Sequence, residues 1–527
     1  MLPLDDIGRL LVETAERHGS RTALICVDRT LSFSELNDLA DRFAAGLRDR
    51  GIKPGERVTL WLENGWRWVV AYFGIFKAGA VANPVNLLLT SDEVDFIIAN
   101  CGARAVVGDS SKLRSLSVNS ELLRIFTDVD YPHGSHRDDA RSFNWLIKSD
   151  LPDKEATLDG PALGEEATGD RIAAICYTSG TTGRPKGAVL THRNILHNVA
   201  MTSLMHGRCK DDVIVSALPC THVYGNVVMN GAIGNGSTLV LFPKFEARAV
   251  LNAIEEHRCT LLEGVPTMYY YLLQERLEQR VLSSLRMCTV GGQSIPENTM
   301  AEVERRFGCP LIELWGMTEM AGLGTTHPHT GPYQHGSIGI GLPFVETKIV
   351  PLDHETDGAP GTIGELMVRG PVVMKGYWRD EAATAKAITS DLWLHTGDVA
   401  SVDADGFIRI VDRLSDMILT AGYNVYPAEI ERVLASHPAV AMVAVGRLPD
   451  KLKGEIAKAY VVLKAESSLG VDELLTFCRS RLAAYKVPRA IQFVADLPKT
   501  STGKIMRRAL ATLDNTRSHG TTRGRGF

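Results

Sequence analysis

No two of the nine cysteines stand in Cys-x-x-Cys spacing, and their number is odd. Thiols scattered in this way, Cys26, Cys101, Cys176 and Cys288 among them, speak against a disulfide framework or a zinc knuckle and fit reduced side chains in a cytoplasmic compartment. A bilayer-spanning run is missing too: the most apolar stretch, residues 68–89, is broken by Lys77, Gly79 and Pro84. Peripheral membrane contact stays open, as does a homodimer. The first residues include Asp5 and Asp6 where a secretory leader carries basic residues, so no signal peptide is expected. Neither sign of charge is in large excess. A formal net charge of −5 over 527 residues gives no electrostatic reason to expect a nucleic-acid partner.

What the chain does have is length and ordinary globular composition. At 527 residues, 45% hydrophobic and 23% charged, it exceeds what one core serves, so two or more domains are expected. Between about residue 50 and residue 350, short β-rich runs alternate with helical patterns, as in 171–177 followed by 194–201 with Thr191 as N-cap. Such alternation predicts an α/β layered architecture of parallel strands and crossover helices. Further strands are expected at 213–217, 238–242, 260–263, 286–290 and 311–314. Each ends where a motif begins, and the carboxyl ends of parallel strands are where ligands bind. The stretch 343–378, punctuated by Gly358, Gly361 and Gly364, reads as a smaller β-rich subdomain. From about Arg413 the pattern becomes helix 428–436, strands 440–445 and 457–463, and helix 472–482, a small α+β unit. The division is then 1–412, 413–513 and a tail, 514–527, whose Gly, Thr, Ser and Arg content predicts disorder.

The most informative segment is Tyr177-Thr-Ser-Gly-Thr-Thr-Gly-Arg-Pro-Lys-Gly187. Four hydroxyls (Thr178, Ser179, Thr181, Thr182) and two interior glycines (Gly180, Gly183) let side-chain and backbone donors converge on anionic oxygens, and Lys186 adds a point charge. The expected guest is a triphosphate. Neither glycine opens the G-x-x-x-x-G-K-[ST] spacing of a P-loop, so this is a different phosphate-holding device.

The segment resembles the signature loop of the adenylate-forming superfamily, which includes acyl-CoA and aryl-CoA ligases, luciferases and peptide-synthetase adenylation domains. The resemblance continues in the family's order through Gly291-Gly292-Gln293-Ser294, Trp315-Gly316-Met317-Thr318-Glu319, Thr396-Gly397-Asp398, Asp412-Arg413, Ala421-Gly422-Tyr423-Asn424 and Pro498 to Lys504. It implies a large N-terminal domain and a small mobile C-terminal one, with ATP, Mg²⁺ and coenzyme A as cosubstrates and cofactor. Lys504 is then the cation at the bridging or α-phosphate oxygens and the substrate carboxylate, and Glu319 the Mg²⁺ ligand. Trp315 occupies the position that stacks on adenine, usually Tyr. Gly316, Met317 and Thr318 complete that nucleotide segment. Asp398 accepts from the ribose hydroxyls with Arg413 in support. Gly291, Gly292 and Gln293 wall the adenine and acyl group, and His222, in Pro-x-x-His-x-x-Gly, is an aromatic gate beside the carboxylate. Thr178 and its loop hold phosphate. Gly422 and Tyr423 flank a pantetheine passage after domain rotation about Ser415, where relatives usually carry Asp or Lys. The Pro498–Lys504 run also resembles the segment that lysine acetyltransferases recognise in bacterial relatives.

The resemblance implies a carboxylic acid:CoA ligase that forms acyl-AMP and then acyl-CoA. In malonate-activating relatives an arginine follows Val-Pro-Thr-x-x-x; here that place is Tyr271, which disfavours a dicarboxylate. Medium- or long-chain fatty acids and aryl or alicyclic acids remain. The alternatives are an acyl-AMP ligase serving a carrier-protein phosphopantetheine, a luciferase-like oxidative enzyme and a catalytically silent acyl-binding partner.

Overall fold

The structure is a computed structural model describing residues 5–118, 121–128, 142–148, 168–178, 185–352, 360–421, 423–450, 452–464, 467–499 and 505–515. Aliphatic runs such as Leu261–Gly264 and Met287–Gly291 are buried along their whole length, as strands covered on both faces must be. They lie in a nine-stranded sheet ordered Ile340–Gly341, Gly322–Thr326, Leu311–Met317, Met287–Gly291, Leu261–Gly264, Val213–Ser216, Thr238–Leu241, Thr22–Ile25, Thr30–Ser32. The strands from Leu311–Met317 to Thr22–Ile25 are mutually parallel, as expected. Both edges depart from that expectation. Gly322–Thr326 returns antiparallel because only the turn Thr318–Met320 and Ala321 separate it from its neighbour, too little chain for a crossover.

A second, seven-stranded sheet is likewise parallel in its interior (Arg57–Trp61, Val81–Pro84, Ala103–Gly108, Leu123–Phe126, Ile172–Thr178). Its last long strand, Lys186–Thr191, pairs antiparallel with Ile172–Thr178. Helices Ile7–His18, Phe33–Asp49, Trp66–Lys77, His192–Met205 and Val223–Asn235 share one apolar core with both sheets. The helix expected at 194–201 runs His192–Met205. Thr191 does cap it: its hydroxyl accepts from Asn194 N (3.1 Å), and Asn194 Oδ1 accepts from Thr191 N (2.8 Å).

The β-rich subdomain is larger than the sequence suggests. Its antiparallel sheet, Glu346–Pro351, Gly364–Arg369, Leu394–Val402 and Ile408–Arg413, runs well past residue 378. The short strand Gly376–Tyr377 leaves it to pair with Lys186–Thr191 in the second sheet. Arg413 therefore closes this sheet. The following unit has its own core beneath helices Pro427–Ala435 and Val471–Arg479, with strands Ile418–Thr420, Tyr423–Val425, Val440–Asp450, Gly454–Leu463 and Ala490–Phe493. Asp514, expected to begin the disordered tail, is instead tied down by Lys458 Nζ (2.5 Å) and Tyr460 OH (2.9 Å); residues 516–527 lie outside the described residues. Among the described residues no helix is long and apolar enough to cross a membrane.

Candidate active site

The hairpin of Ile172–Thr178 and Lys186–Thr191 sets Thr178 opposite Lys186, bringing the ends of the hydroxyl-rich loop together. Ser179, Gly180, Thr181, Thr182 and Gly183 lie outside the described residues. Lys186 Nζ stands 5.3 Å from the ring centroid of Tyr377, a cation–π distance, and the Tyr377 hydroxyl donates to Glu319 Oε1 at 2.8 Å. Tyr377 thus joins the loop's lysine to the predicted metal ligand. Sequence reasoning missed it, because the strand exchange that brings it here leaves no local signal.

Glu319 lies in the turn Thr318–Met320 that ends the strand carrying Trp315, Gly316 and Met317. Burial pushes its carboxyl above the usual range, while the Tyr377 hydrogen bond and the charge of Arg413 oppose that rise. Among the described residues no three His, Cys, Asp or Glu side chains gather into a metal cage. A lone buried carboxylate nevertheless fits Mg²⁺, which retains water and takes its other oxygens from phosphate. Metal binding needs the ionised acid, so the cation and Glu319 stabilise each other.

Trp315 Nε1 donates to Asp398 Oδ2 at 2.8 Å, and Arg413 Nε pairs with Oδ1 at 3.0 Å. Asp398 and Arg413 face each other on adjacent strands, and Trp315 comes from the large sheet. Three predicted nucleotide residues from distant sequence therefore meet in one contact chain. The indole N–H is a donor that phenylalanine lacks, so Trp315 both offers a π face and holds the carboxylate.

Gly291 ends its strand, and Gly292 has φ +89°, a left-handed conformation that glycine adopts without strain. Gln293 Nε2 reaches Ile505 O at 3.5 Å, and Lys499 Nζ lies 3.0 Å from Tyr271 OH. These contacts seat the C-terminal unit against the large sheet. Lys499 bridges to Ile505, and Met506 N donates to Pro498 O (2.8 Å); residues 500–504, Lys504 among them, lie outside the described residues. Tyr271, at the place where malonate-activating relatives carry arginine, is exposed beside Lys499. Gly422 also falls outside the described residues; Tyr423 is exposed and stacks on Tyr485 at 4.6 Å.

His222 N-caps the helix Val223–Asn235: Tyr224 N donates to its Nδ1 at 3.3 Å, which assigns the ring proton to Nε2. At the junction of the units, Ser415 O accepts from Arg447 Nη2 (2.6 Å). Arg507 bridges Asp412 (3.4 Å), Asp416 (2.8 Å) and Glu431 (2.6 Å). Burial lifts the Asp412 carboxyl to about 6, with Arg507 and the amides of Ala428 and Arg413 pulling the other way.

The sequence matches the AMP-binding enzyme family over residues 11–378 and the AMP-binding enzyme C-terminal domain over 429–504. It is 34% identical to a long-chain-fatty-acid–CoA ligase of Bacillus subtilis, over 98% of this chain and 96% of that protein. A feruloyl-CoA synthase of an Amycolatopsis species is 36% identical, with 94% of each chain covered. Among solved structures, the O-succinylbenzoate coenzyme A synthetase of Bacillus subtilis in complex with ATP and a magnesium ion superposes with a TM-score of 0.78 at 31% identity, covering 95% of this chain and 99% of that one. With most of its length matched by the family and by full-length relatives, the chain belongs to the AMP-binding enzymes, the adenylate-forming acyl-CoA synthetase family.

Proposed function

We propose that this protein joins a fatty or aryl monocarboxylic acid to coenzyme A in two ATP-driven steps. The observation that carries the reading is the convergence of Lys186, Tyr377 and Glu319 with Trp315, Asp398 and Arg413; the charges of Asp398 and Arg413 both act on Glu319. A carboxylate oxygen of the acid bonds to the α-phosphorus of ATP while the bond to the β-phosphate oxygen breaks, and pyrophosphate leaves with that electron pair. The coenzyme A thiolate then attacks the acyl carbon of the mixed anhydride and expels AMP. The first step asks for positioning and charge neutralisation. Asp398 and Trp315 orient the nucleoside, the 178–186 loop and Lys504 take the phosphates, and Glu319 would hold Mg²⁺, which neutralises phosphate charge.

We assign nucleotide and acid binding to residues 1–412 and the mobile unit to the chain from 413 onward. Ile505 at Gln293 supports an orientation in which Lys504, its neighbour in the chain, serves the first step. Acetylation of Lys504 would delete that charge and silence adenylation without unfolding the protein. The test of the function is pyrophosphate release over a panel of acids, with and without coenzyme A. Acid-dependent release followed by thioester formation with free coenzyme A supports the ligase. Release without thioester formation moves the reading to a carrier-protein acceptor, and no release with any acid ends it.

A further inference from the structure

One short strap, residues 374–378, ties the root of the phosphate loop to the predicted metal ligand. It runs beside the strand Lys186–Thr191: Lys375 N donates to Val189 O (2.9 Å), Trp378 N donates to Gly187 O (2.7 Å), and Gly376 and Tyr377 stand opposite Val189 and Ala188. At the near end, Met374 N donates to Glu319 O at 2.8 Å. At the far end, Trp378 Nε1 donates to Asn100 O (3.2 Å), at the close of the helix Ser91–Cys101. Asn100 Oδ1 accepts from the hydroxyl of Tyr177, on the other strand of the loop's hairpin. The guanidinium groups of Arg57 and Arg379 stand 5.6 and 5.3 Å from the Trp378 ring, within cation–π range. Tyr377 N donates to Thr384 Oγ1 (2.9 Å), and Gly376, at φ +146°, has no room for a Cβ, which would lie 2.7 Å from Thr384 Cγ2.

The backbone of Tyr377 is therefore fixed on both sides, and both ends of its side chain are engaged. The ring stands 5.3 Å from Lys186 Nζ, and the hydroxyl donates to Glu319 Oε1 at 2.8 Å. A cation held at a ring face keeps its charge for phosphate, whereas pairing with a carboxylate would cancel it. The same holds for the acid. A neutral hydroxyl orients the Glu319 carboxylate without neutralising it, and by engaging Oε1 it leaves Oε2 to a cation. Glu319 is 7% exposed, so water does not readily take over that orienting bond.

We propose that Tyr377 is a positioning residue that couples the metal and triphosphate halves of the nucleotide site: its hydroxyl aims Glu319 at Mg²⁺, and its ring seats Lys186 for phosphate. This rests on the ligase reading and on Glu319 as the metal ligand. Removing the hydroxyl alone then costs the gain in ATP affinity that Mg²⁺ brings and spares the metal-free affinity. Removing the ring as well costs both.

Calorimetric titration with ATP, once in EDTA and once in Mg²⁺, tests this without turnover. In the wild type Mg²⁺ should tighten ATP binding, and Glu319→Gln should remove most of that gain. Tyr377→Phe, which keeps the ring, should cut the gain by about tenfold or more, while the affinity for metal-free ATP stays within about twofold of wild type. The double variant Tyr377→Phe with Glu319→Gln should bind ATP in Mg²⁺ as Glu319→Gln does alone, because the hydroxyl has nothing left to aim. Tyr377→Leu should in addition weaken metal-free ATP by about 2- to 5-fold. Equal weakening with and without metal in Tyr377→Phe, or losses that add in the double variant, would mark a merely structural role and overturn the proposal; unchanged metal-free affinity in Tyr377→Leu would overturn the part given to the ring. A wild type that binds ATP equally with and without Mg²⁺ overturns the metal assignment and this inference with it, while acid-dependent pyrophosphate release, measured apart, still decides the ligase reading.

Discussion

Replacing Trp315 by phenylalanine separates the two roles proposed for this side chain. The ring that can stack on adenine is kept, while the donor to Asp398 Oδ2, 2.8 Å away, is lost. Trp315 is 9% and Asp398 4% exposed, so water cannot readily replace that donor. A hydrogen bond to a charged acceptor contributes about 1.5–3 kcal/mol. The remaining Arg413 contact compensates weakly, because its side chain is 61% exposed and solvent-screened. If about half of the loss falls on ribose binding, ATP affinity drops by about 1 kcal/mol or slightly more, roughly 5- to 10-fold. Carboxylate oxygens accept more than one hydrogen bond, so indole and ribose can share the same acid. Calorimetric titration of wild type and Trp315→Phe with ATP and with 2′-deoxy-ATP, in the absence of acid, closes a cycle between the indole N–H and the sugar hydroxyl. The wild type should prefer ATP, and the variant should lose most of that preference. Equal weakening toward both nucleotides would show that Trp315 is an adenine platform only, and the proposed hold on Asp398 would be wrong.

Lys504→Ala should lower acyl-AMP formation by at least about 100-fold while supplied acyl-AMP still yields acyl-CoA in stopped assays; equal loss in both steps would refute the division of labour. Gly422→Leu should show the opposite split, and normal thioester formation would remove the pantetheine assignment. Ser415→Pro, which fixes φ, should preserve one half-reaction and stop the other; wild-type rates in both would place the hinge elsewhere. Glu313 is pushed by burial from an ordinary 4.5 up to about 8, although Gly336 N donates to it at 2.7 Å. Since the folded state keeps this proton to higher pH than the unfolded chain, its stabilising contribution is complete below about pH 4.5 and falls as pH rises to about 8, by roughly 4–5 kcal/mol. Glu313→Gln should flatten that decline in thermal melts at pH 5 and pH 8, and unchanged profiles would exclude it as the titrating group.

The parts of this molecule that the sequence announced are those whose cause is local. Continuous aliphatic runs must be buried on both faces, so the parallel strands at 213, 238, 261, 287 and 311 were legible to within a few residues. The Thr191 cap was legible because its partner, Asn194, is one turn away. What escaped depends on pairing across long separations. Tyr377 reaches Glu319 only because a two-residue strand leaves one sheet for another, and nothing in Gly376-Tyr377 encodes that choice. A glutamate in the run Leu-Leu-Glu-Gly looks like a strand-end acid until Arg208 and Tyr224 are seen to enclose it.

The junction shows the same limit with a functional consequence. Ser415 was singled out because relatives usually carry a charge there, yet the charge at this junction is supplied from almost a hundred residues away. Arg507 lies between Asp412, the penultimate residue of the β-rich sheet, and Asp416 and Glu431 on the far side of the proposed hinge. A rotation that keeps Arg507 with Asp416 and Glu431 takes it from Asp412, and takes the Ala428 amide too, because Ala428 rides on the same helix as Glu431; Asp412 is buried and keeps the amide of Arg413. Removing one partner from a buried ion pair costs about 3–5 kcal/mol, and less here because the Arg507 side chain is 29% exposed and the contact is long at 3.4 Å. Ser415 can then be a passive swivel. On the proposed rotation, Arg507 adds to the Gln293–Ile505 and Lys499–Tyr271 contacts as a threshold for leaving this orientation.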